Sequence, residues 1–116
     1  MVRAAHAKTV LFYQDSNGVE PFTKWLFALK DTAARRRILT RLRRLQQGNV
    51  GDCKPVGGRL SELRLFFGSG YRIYFGEDGD HIVIILNGGS KAGQQRDIKR
   101  AKAYWKDYVQ HGKAKT

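Results

Sequence analysis

The sequence predicts a single α+β domain: an antiparallel sheet with two N-terminal helices packed on one face and a C-terminal helix completing the chain. Three observations predict it. Apolar and polar residues alternate over residues 60–67 and again over 71–75, the two-residue period of strands. Apolar residues return every three or four positions over 22–29, 34–45 and 98–108, the period of helices. The order strand, two helices, three-stranded meander, helix then separates helices from most of the sheet. With 116 residues and 41% hydrophobic content the chain fills one core and is too short for two, so a core over about 8–110 with flexible termini is expected.

The first strand covers residues 8–13, Lys-Thr-Val-Leu-Phe-Tyr, and breaks at the turn cluster Asp15-Ser16-Asn17-Gly18. Pro21 suits the opening position of a helix whose stripe is Phe22, Trp25, Leu26 and Leu29. Asp31 is a natural cap for a second helix running to Gln47 and stopped by Gly48-Asn49. Its stripe is Ala34, Ile38, Leu42 and Leu45. Arg36, Thr40, Arg43 and Gln47 lie opposite, with Arg35, Arg41 and Arg44 on the flanks. That basic surface suits a rail facing phosphates or an acidic partner, and equally a solvated face of long helix-forming side chains.

Residues 49–58 hold Pro55 and three glycines and read as a connector, carrying Lys54 and leading through Arg59 into the sheet. In the next strand Glu62 and Arg64 share one face, and Leu63, Leu65 and Phe67 the other. Gly68-Ser69-Gly70 turns the chain into Tyr71-Arg72-Ile73-Tyr74-Phe75, where Arg72 and Tyr74 share a face. Asp78-Gly79 signals a hairpin, and residues 82–86 are apolar throughout, as in a central strand covered on both faces. Asn87-Gly88-Gly89-Ser90-Lys91 reads as a glycine loop ending in a cation. The last helix, residues 95–108, sets Ile98, Ala101, Trp105 and Tyr108 on a core stripe among Arg96, Lys99, Arg100, Lys102 and Lys106. Lys113 and Lys115 fall in a tail expected to fray. One sheet face is expected to take the helices and the other to expose Glu62, Arg64 and Arg72.

Twenty-two Lys and Arg against ten Asp and Glu give a formal charge of +12, which favours a polyanionic contact: RNA, DNA, an acidic protein or an anionic membrane. No apolar run approaches the ~18 residues of a membrane span, and residues 1–9 lack the apolar stretch of a secretory signal. A cytoplasmic protein with no membrane contact is expected. The single Cys53 excludes an internal disulfide and any cysteine-cluster zinc site, and reads as an inert thiol. His6, His81 and His111 are scattered without ligand spacing, so neither metal nor cofactor is expected. Gly88-Gly89-Ser90-Lys91 lacks the order of a nucleoside triphosphate loop, leaving room for one phosphate.

What remains is Glu62, Arg64 and Arg72 on one face, with Lys91 at the end of the next strand. Such a set suits metal-free RNA cleavage, in which a base frees the 2′-oxygen to attack the adjacent phosphorus and cations stabilise the charge that develops. Arg64 and Arg72 would hold the phosphate, Lys91 would assist, and Glu62 is the nearby candidate base or orienting group. The plain alternative for Glu62 and Arg64 is a surface ion pair, worth ~0 to 1 kcal/mol.

These residues also carry a resemblance. Trp25-Leu26, the basic helix ending in Gly48-Asn49-Val50-Gly51-Asp52, Leu60-Ser61-Glu62-Leu63-Arg64, Gly70-Tyr71-Arg72-Ile73-Tyr74-Phe75, Gly88-Gly89-Ser90-Lys91, Gln94, Asp97-Ile98 and Tyr104-Trp105 together resemble the phage-derived killer-protein branch of the RelE/ParE superfamily, the HigB-like toxins of type II toxin-antitoxin modules. The resemblance runs over residues 9–108. It implies a fold like that of microbial ribonucleases and a toxin that cuts messenger RNA in the ribosomal A site. It also implies a cognate antitoxin, usually of helix-turn-helix type. Arg64, Arg72 and Lys91 match the superfamily's basic catalytic face, while Glu62 stands where members carry either an acid or a base. Relatives use a Tyr or His after the last strand, whereas here Gln94 and Asp97 occupy that region, which leaves the general acid unassigned. Lys54, Arg59, Arg36, Arg43 and Gln94 complete the expected RNA-binding set.

Two other classes remain open at this level. The same fold supports a ParE-like inhibitor of DNA gyrase that cuts nothing. A non-enzymatic nucleic-acid-binding module would work through the basic helix, with Arg36 or Arg43 essential and Glu62 immaterial.

Overall fold

The computed structural model describes residues 7–112. His6 and the predicted tail with Lys113 and Lys115 lie outside the described residues. The elements run β1 (Thr9–Phe12), α1 (Pro21–Ala28), α2 (Thr32–Gln46), β2 (Cys53–Gly57), β3 (Leu60–Leu65), β4 (Tyr71–Asp78), β5 (Ile82–Ser90) and α3 (Gln94–Asp107). A single turn of 3-10 helix, Lys91–Gly93, joins β5 to α3, and a widened turn, Tyr108–Gly112, follows α3. The five strands form one sheet in the order β1-β5-β4-β3-β2. It is antiparallel except at one edge, where β1 runs parallel to β5. The predicted α+β class holds.

Local chemistry sets the helix ends. Pro21 opens α1, where its missing N–H is no loss. The Asp31 carboxylate accepts from the N–H groups of Ala33 and Ala34 at 3.0 and 3.2 Å, capping α2 as the sequence predicts. Gly48, at φ 86°, closes α2: its N–H reaches the Leu45 carbonyl while the Asn49 N–H reaches that of Arg44.

Each face of the sheet carries its own core. On one face α1 and α2 bury Phe22, Leu26, Ala34, Ile38, Leu42 and Leu45 against Leu63, Leu65, Ile73, Phe75, Val83 and Ile85. On the other, α3 lays Ile98, Ala101, Tyr104 and Trp105 over Leu60, Tyr74, Ile84 and Leu86. The second cluster corrects the expectation of an open face, because α3 crosses the sheet on the side opposite α1 and α2. It also accounts for the apolar run of β5, whose alternate residues serve the two cores, and it uses Trp105 and Tyr108 as core aromatics, as their spacing predicts. A bulge at Leu86, between the pairs Tyr74–Asn87 and Phe75–Ile85, turns Leu86 and Asn87 to the same side.

Two further differences bear on the site. The predicted connector over 49–58 contains β2, paired with β3 from Cys53–Leu63 to Gly57–Leu60 around an irregularity at Pro55. Pro55 and the glycines conceal the strand because such residues are confined to edges and bulges, and β2 is an edge. The predicted glycine loop after Leu86 is the second half of β5. Its glycines serve close packing: a side chain at Gly88 would collide with the Trp25 ring on the α1 side, and one at Gly89 with Asp97 Oδ2 on the α3 side. Gly76 receives Trp105 in the same way. Among the described residues no helix is long and apolar enough to cross a membrane.

Two phenols tie the α3 end of the chain to the sheet. Tyr13 donates to Asp107 Oδ2 at 2.5 Å, and Tyr108 donates to Asp78 Oδ2 at 2.7 Å. Burial first, then the bonded carboxylate, raises both pKa values, that of Tyr108 to about 12. The protonated phenol is therefore the stabilising form. Its contribution is complete below the ordinary value of 10 and is lost as pH climbs towards about 12. The urea midpoint is expected to fall over that interval, and Tyr108→Phe is expected to flatten the fall while costing about 1 kcal/mol at neutral pH. Gly76→Ala, which drives a methyl into Trp105, is expected to cost about 1–3 kcal/mol in urea unfolding. An unchanged midpoint would show that Trp105 is not fixed on that glycine.

Candidate phosphate-binding site

The antiparallel register of β3 and β4 places Arg64 directly opposite Arg72, and Glu62 opposite Tyr74. Two guanidiniums facing each other on one sheet surface repel, and each needs its own anion. Arg64 turns outward to Asp52, its Nε and Nη2 donating to Oδ1 at 3.3 and 2.9 Å. Arg72 turns inward beneath α3, with Nε 3.9 Å from Glu62 Oε1 and Nη1 donating to the carbonyls of Tyr71 and Gly70 at 3.3 and 3.4 Å. The Glu62–Arg64 surface pair considered from the sequence does not form. The carboxylate for Arg64 comes from Asp52, which only β2 brings alongside.

Burial separates the two pairs. Arg64 and Asp52 are about one-third exposed, whereas the side chains of Glu62 and Arg72 are 1% and 6% exposed. Glu62 also accepts two contacts from the Gln94 amide, at 3.0 and 3.3 Å. It therefore fixes Arg72 and the first turn of α3 from below. Asn87 donates to the Asp97 carbonyl at 3.0 Å and joins β5 to that turn, while the buried Asp97 carboxylate lies 3.5 Å from Arg96. Tyr74 sits at the centre of this layer with its hydroxyl unpartnered among the described residues. Its pKa is pushed above the ordinary value by burial first, then by Glu62 and Asp97, so it stays protonated.

Above the layer the surface is cationic. A groove of about 370 Å³ runs between α2 and β3, walled by Arg36, Arg37, Arg44 and Arg64, with Asp52 as its one acid. Arg41 forms the floor: its guanidinium donates to the carbonyls of Asp52, Arg64 and Val50 at 2.7, 2.9 and 3.3 Å, clamping α2 to β3 and to the approach to β2. Burial pulls the Arg41 pKa below its ordinary value. A second depression, of about 510 Å³, opens around the Gly68-Ser69-Gly70 turn, where Arg72 and exposed Lys91 meet. Lys91 reaches it from the 3-10 turn, packing its stem beside Gly70.

The expected residues thus divide by place. Arg72 and Lys91 meet at the β3–β4 turn, with Glu62 and Gln94 bonded beneath Arg72, and Arg64 and Arg36 line the adjoining groove. Lys54 is exposed on β2, paired in register with Glu62. Arg59 lies elsewhere: at φ 67° it occupies the β2–β3 turn, five residues and ~16 Å of strand from Arg64. Arg43 is exposed on α2 but does not line the groove. Asp52 and Arg41 were missed as partners. The signal for Asp52 was its place just ahead of a short strand, and Arg41 lay among look-alike arginines. Cys53 is partly buried, with burial raising its thiol pKa, which suits an inert role. No group of three potential metal-binding His, Cys, Asp or Glu side chains occurs among the described residues.

The chain is similar to known proteins over most of its length. Residues 24–106 match the family described as phage derived protein Gp49-like (DUF891). An uncharacterized protein of Haemophilus influenzae is 46% identical over 81 residues, which span 70% of this chain and 82% of that protein. The family match includes the β3–β4 turn, the buried layer beneath α3 and the basic groove. The chain belongs to the phage-derived Gp49-like family, a family of RelE/HigB-like toxins.

Proposed function

We propose that the protein is the toxin of a type II toxin-antitoxin module and cuts messenger RNA on the ribosome without a metal ion. One observation supports the reading beyond family membership: Arg72 and Lys91 line the depression at the β3–β4 turn and Arg64 lines the adjoining groove, while the acids nearest them, Asp52 and Glu62, are held by Arg64, Arg72 and Gln94. The excess positive charge that faces outward comes from exposed Lys91, Arg36, Arg37 and Arg44, as recognition of a phosphodiester requires.

In this reading the two guanidiniums hold the non-bridging oxygens of the scissile phosphate. The 2′-hydroxyl loses its proton to solvent water, its oxygen attacks the neighbouring phosphorus, and the bond to the 5′-oxygen breaks as that oxygen takes a proton from solvent water, leaving a 2′,3′-cyclic phosphate and a 5′-hydroxyl. Arg64 and Arg72 stabilise the added charge on the five-coordinate phosphorus, and Lys91 neutralises the departing oxygen. Glu62, buried and bonded, acts as the residue that positions Arg72 and Gln94. Arg36, Arg37 and Arg44 guide the strand along the α2 groove; Lys54 adds charge from the sheet edge. A cognate antitoxin, of helix-turn-helix type in this reading, silences the toxin.

Primer-extension mapping in a reconstituted translation reaction tests this, with and without ribosomes. Discrete ribosome-dependent cuts are expected from the parent protein, and Arg64→Ala is expected to lower the cleavage rate by about 10² to 10³. Absence of cuts with undisturbed translation would overturn the reading and direct attention to gyrase supercoiling. Glu62→Ala is expected to act through the fold, costing about 3–5 kcal/mol because Arg72 is left buried without its partner, whereas Arg64→Ala costs at most about 1 kcal/mol. Chemical denaturation of the two variants distinguishes positioning from direct action.

A further inference from the structure

Phe66, the first residue past β3, is 73% exposed. Its neighbour Phe67 shows that the turn has somewhere to put a ring: Phe67 is partly buried, 5.3 Å from the Tyr71 ring and covered by Arg37 at 4.7 Å. Phe66 instead stands on the surface beside the guanidiniums of the opposed pair. Arg64 Cζ lies 5.5 Å and Arg72 Cζ 5.9 Å from its ring centroid. With Phe67, the ring also forms the wall shared by the α2 groove and the depression holding Lys91. A polyanion passing from one depression to the other crosses Phe66.

A lone exposed ring serves either a protein partner or a nucleobase, and its surroundings decide. An aromatic anchor for a protein is ringed by apolar contacts that exclude water. Phe66 is ringed by cations: Arg36, Arg37, Arg44, Arg64, Arg72 and Lys91 line the two depressions that it separates. Interleaved aromatic and cationic side chains are the arrangement that binds single strands, the cations taking the backbone and the ring taking the base. The guanidiniums also restrain the ring through its π face, so less freedom is lost when a base arrives.

We propose that Phe66 is a nucleobase-stacking residue, and that the base it takes adjoins the phosphate held by Arg64 and Arg72 in single-stranded RNA. The assignment rests on the reading of RNA as substrate and adds a register to it: the strand is positioned by one stacked base, with no demand on that base's hydrogen-bonding edge. Purines, with the larger faces, bind better there than pyrimidines.

The test uses the full-length protein and two short single-stranded RNAs of equal length and charge, one intact and one with its bases removed at the central positions. In Phe66→Trp, the emission added over the Trp25 and Trp105 background is expected to be quenched by the intact RNA and unaffected by the abasic one. Phe66→Leu, which keeps an apolar side chain on a solvent-facing site and leaves the fold intact, is expected to weaken intact-RNA binding roughly 5- to 150-fold, with abasic binding unchanged. Equal quenching by both RNAs, unaltered affinity in Phe66→Leu, or no binding of either RNA at low salt would overturn the assignment; the last result, with quenching by an acidic peptide instead, would mark a protein-docking ring. Cleavage is read separately. Ribosomal cutting without quenching sinks the stacking and leaves the nuclease reading standing; base-dependent quenching without cutting does the reverse.

Discussion

Two arginines that face each other across adjacent strands set the terms for the rest of this structure. Arg64 and Arg72 share a sheet surface at neighbouring positions, an arrangement that repels unless each charge has its own counter-ion. The solution is asymmetric. Arg64 leans outward to a half-exposed carboxylate delivered by the approach to β2, and Arg72 leans inward to a fully buried one. That split gives a use to an edge strand with a proline and an irregular register: it brings Asp52 beside Arg64. It also explains why α3 must begin where it does, since Gln94 closes over Glu62 and completes the coordination of the buried acid.

The same asymmetry orders the chemistry. A buried ion pair contributes little net stability, but removal of one member is costly, so Glu62 and Arg72 hold each other in a single geometry. Arg64 sits in a wetter setting, where its pairing with Asp52 is weak. One guanidinium is thus rigid and the other adjustable, and both border the turn where Lys91 and Phe66 stand. Around them the fold relies on close approach: Trp25 on Gly88 and Trp105 on Gly76 press a helix against each face of the sheet.

Much of this was legible in the sequence, and the limits have a physical cause. Helix caps, apolar stripes and the alternation of β3 and β4 are local, so Asp31, Pro21, the stripe of α2 and the face shared by Arg72 and Tyr74 could be read directly. That Arg64 and Arg72 stand on neighbouring strands could be read as well, and one register sets them opposite each other. What escaped depends on contacts between distant segments. The glycines after Leu86 read as a loop because sequence cannot tell a glycine needed for a turn from one that makes room for Trp25 or Asp97. Glu62 read as a surface residue because nothing local announces that a helix more than thirty residues later will cover it.

The sequence by itself therefore determined the α+β class, the basic character and the family, since periodicity, composition and motif order are properties of the chain. Only the tertiary structure decided which carboxylate belongs to which arginine, that both sheet faces are covered, and that Phe66 stays in solvent while Phe67 is drawn in. Those outcomes depend on strand register, on the side of the sheet that α3 crosses and on the space left between packed rings, none of which is fixed until the segments meet.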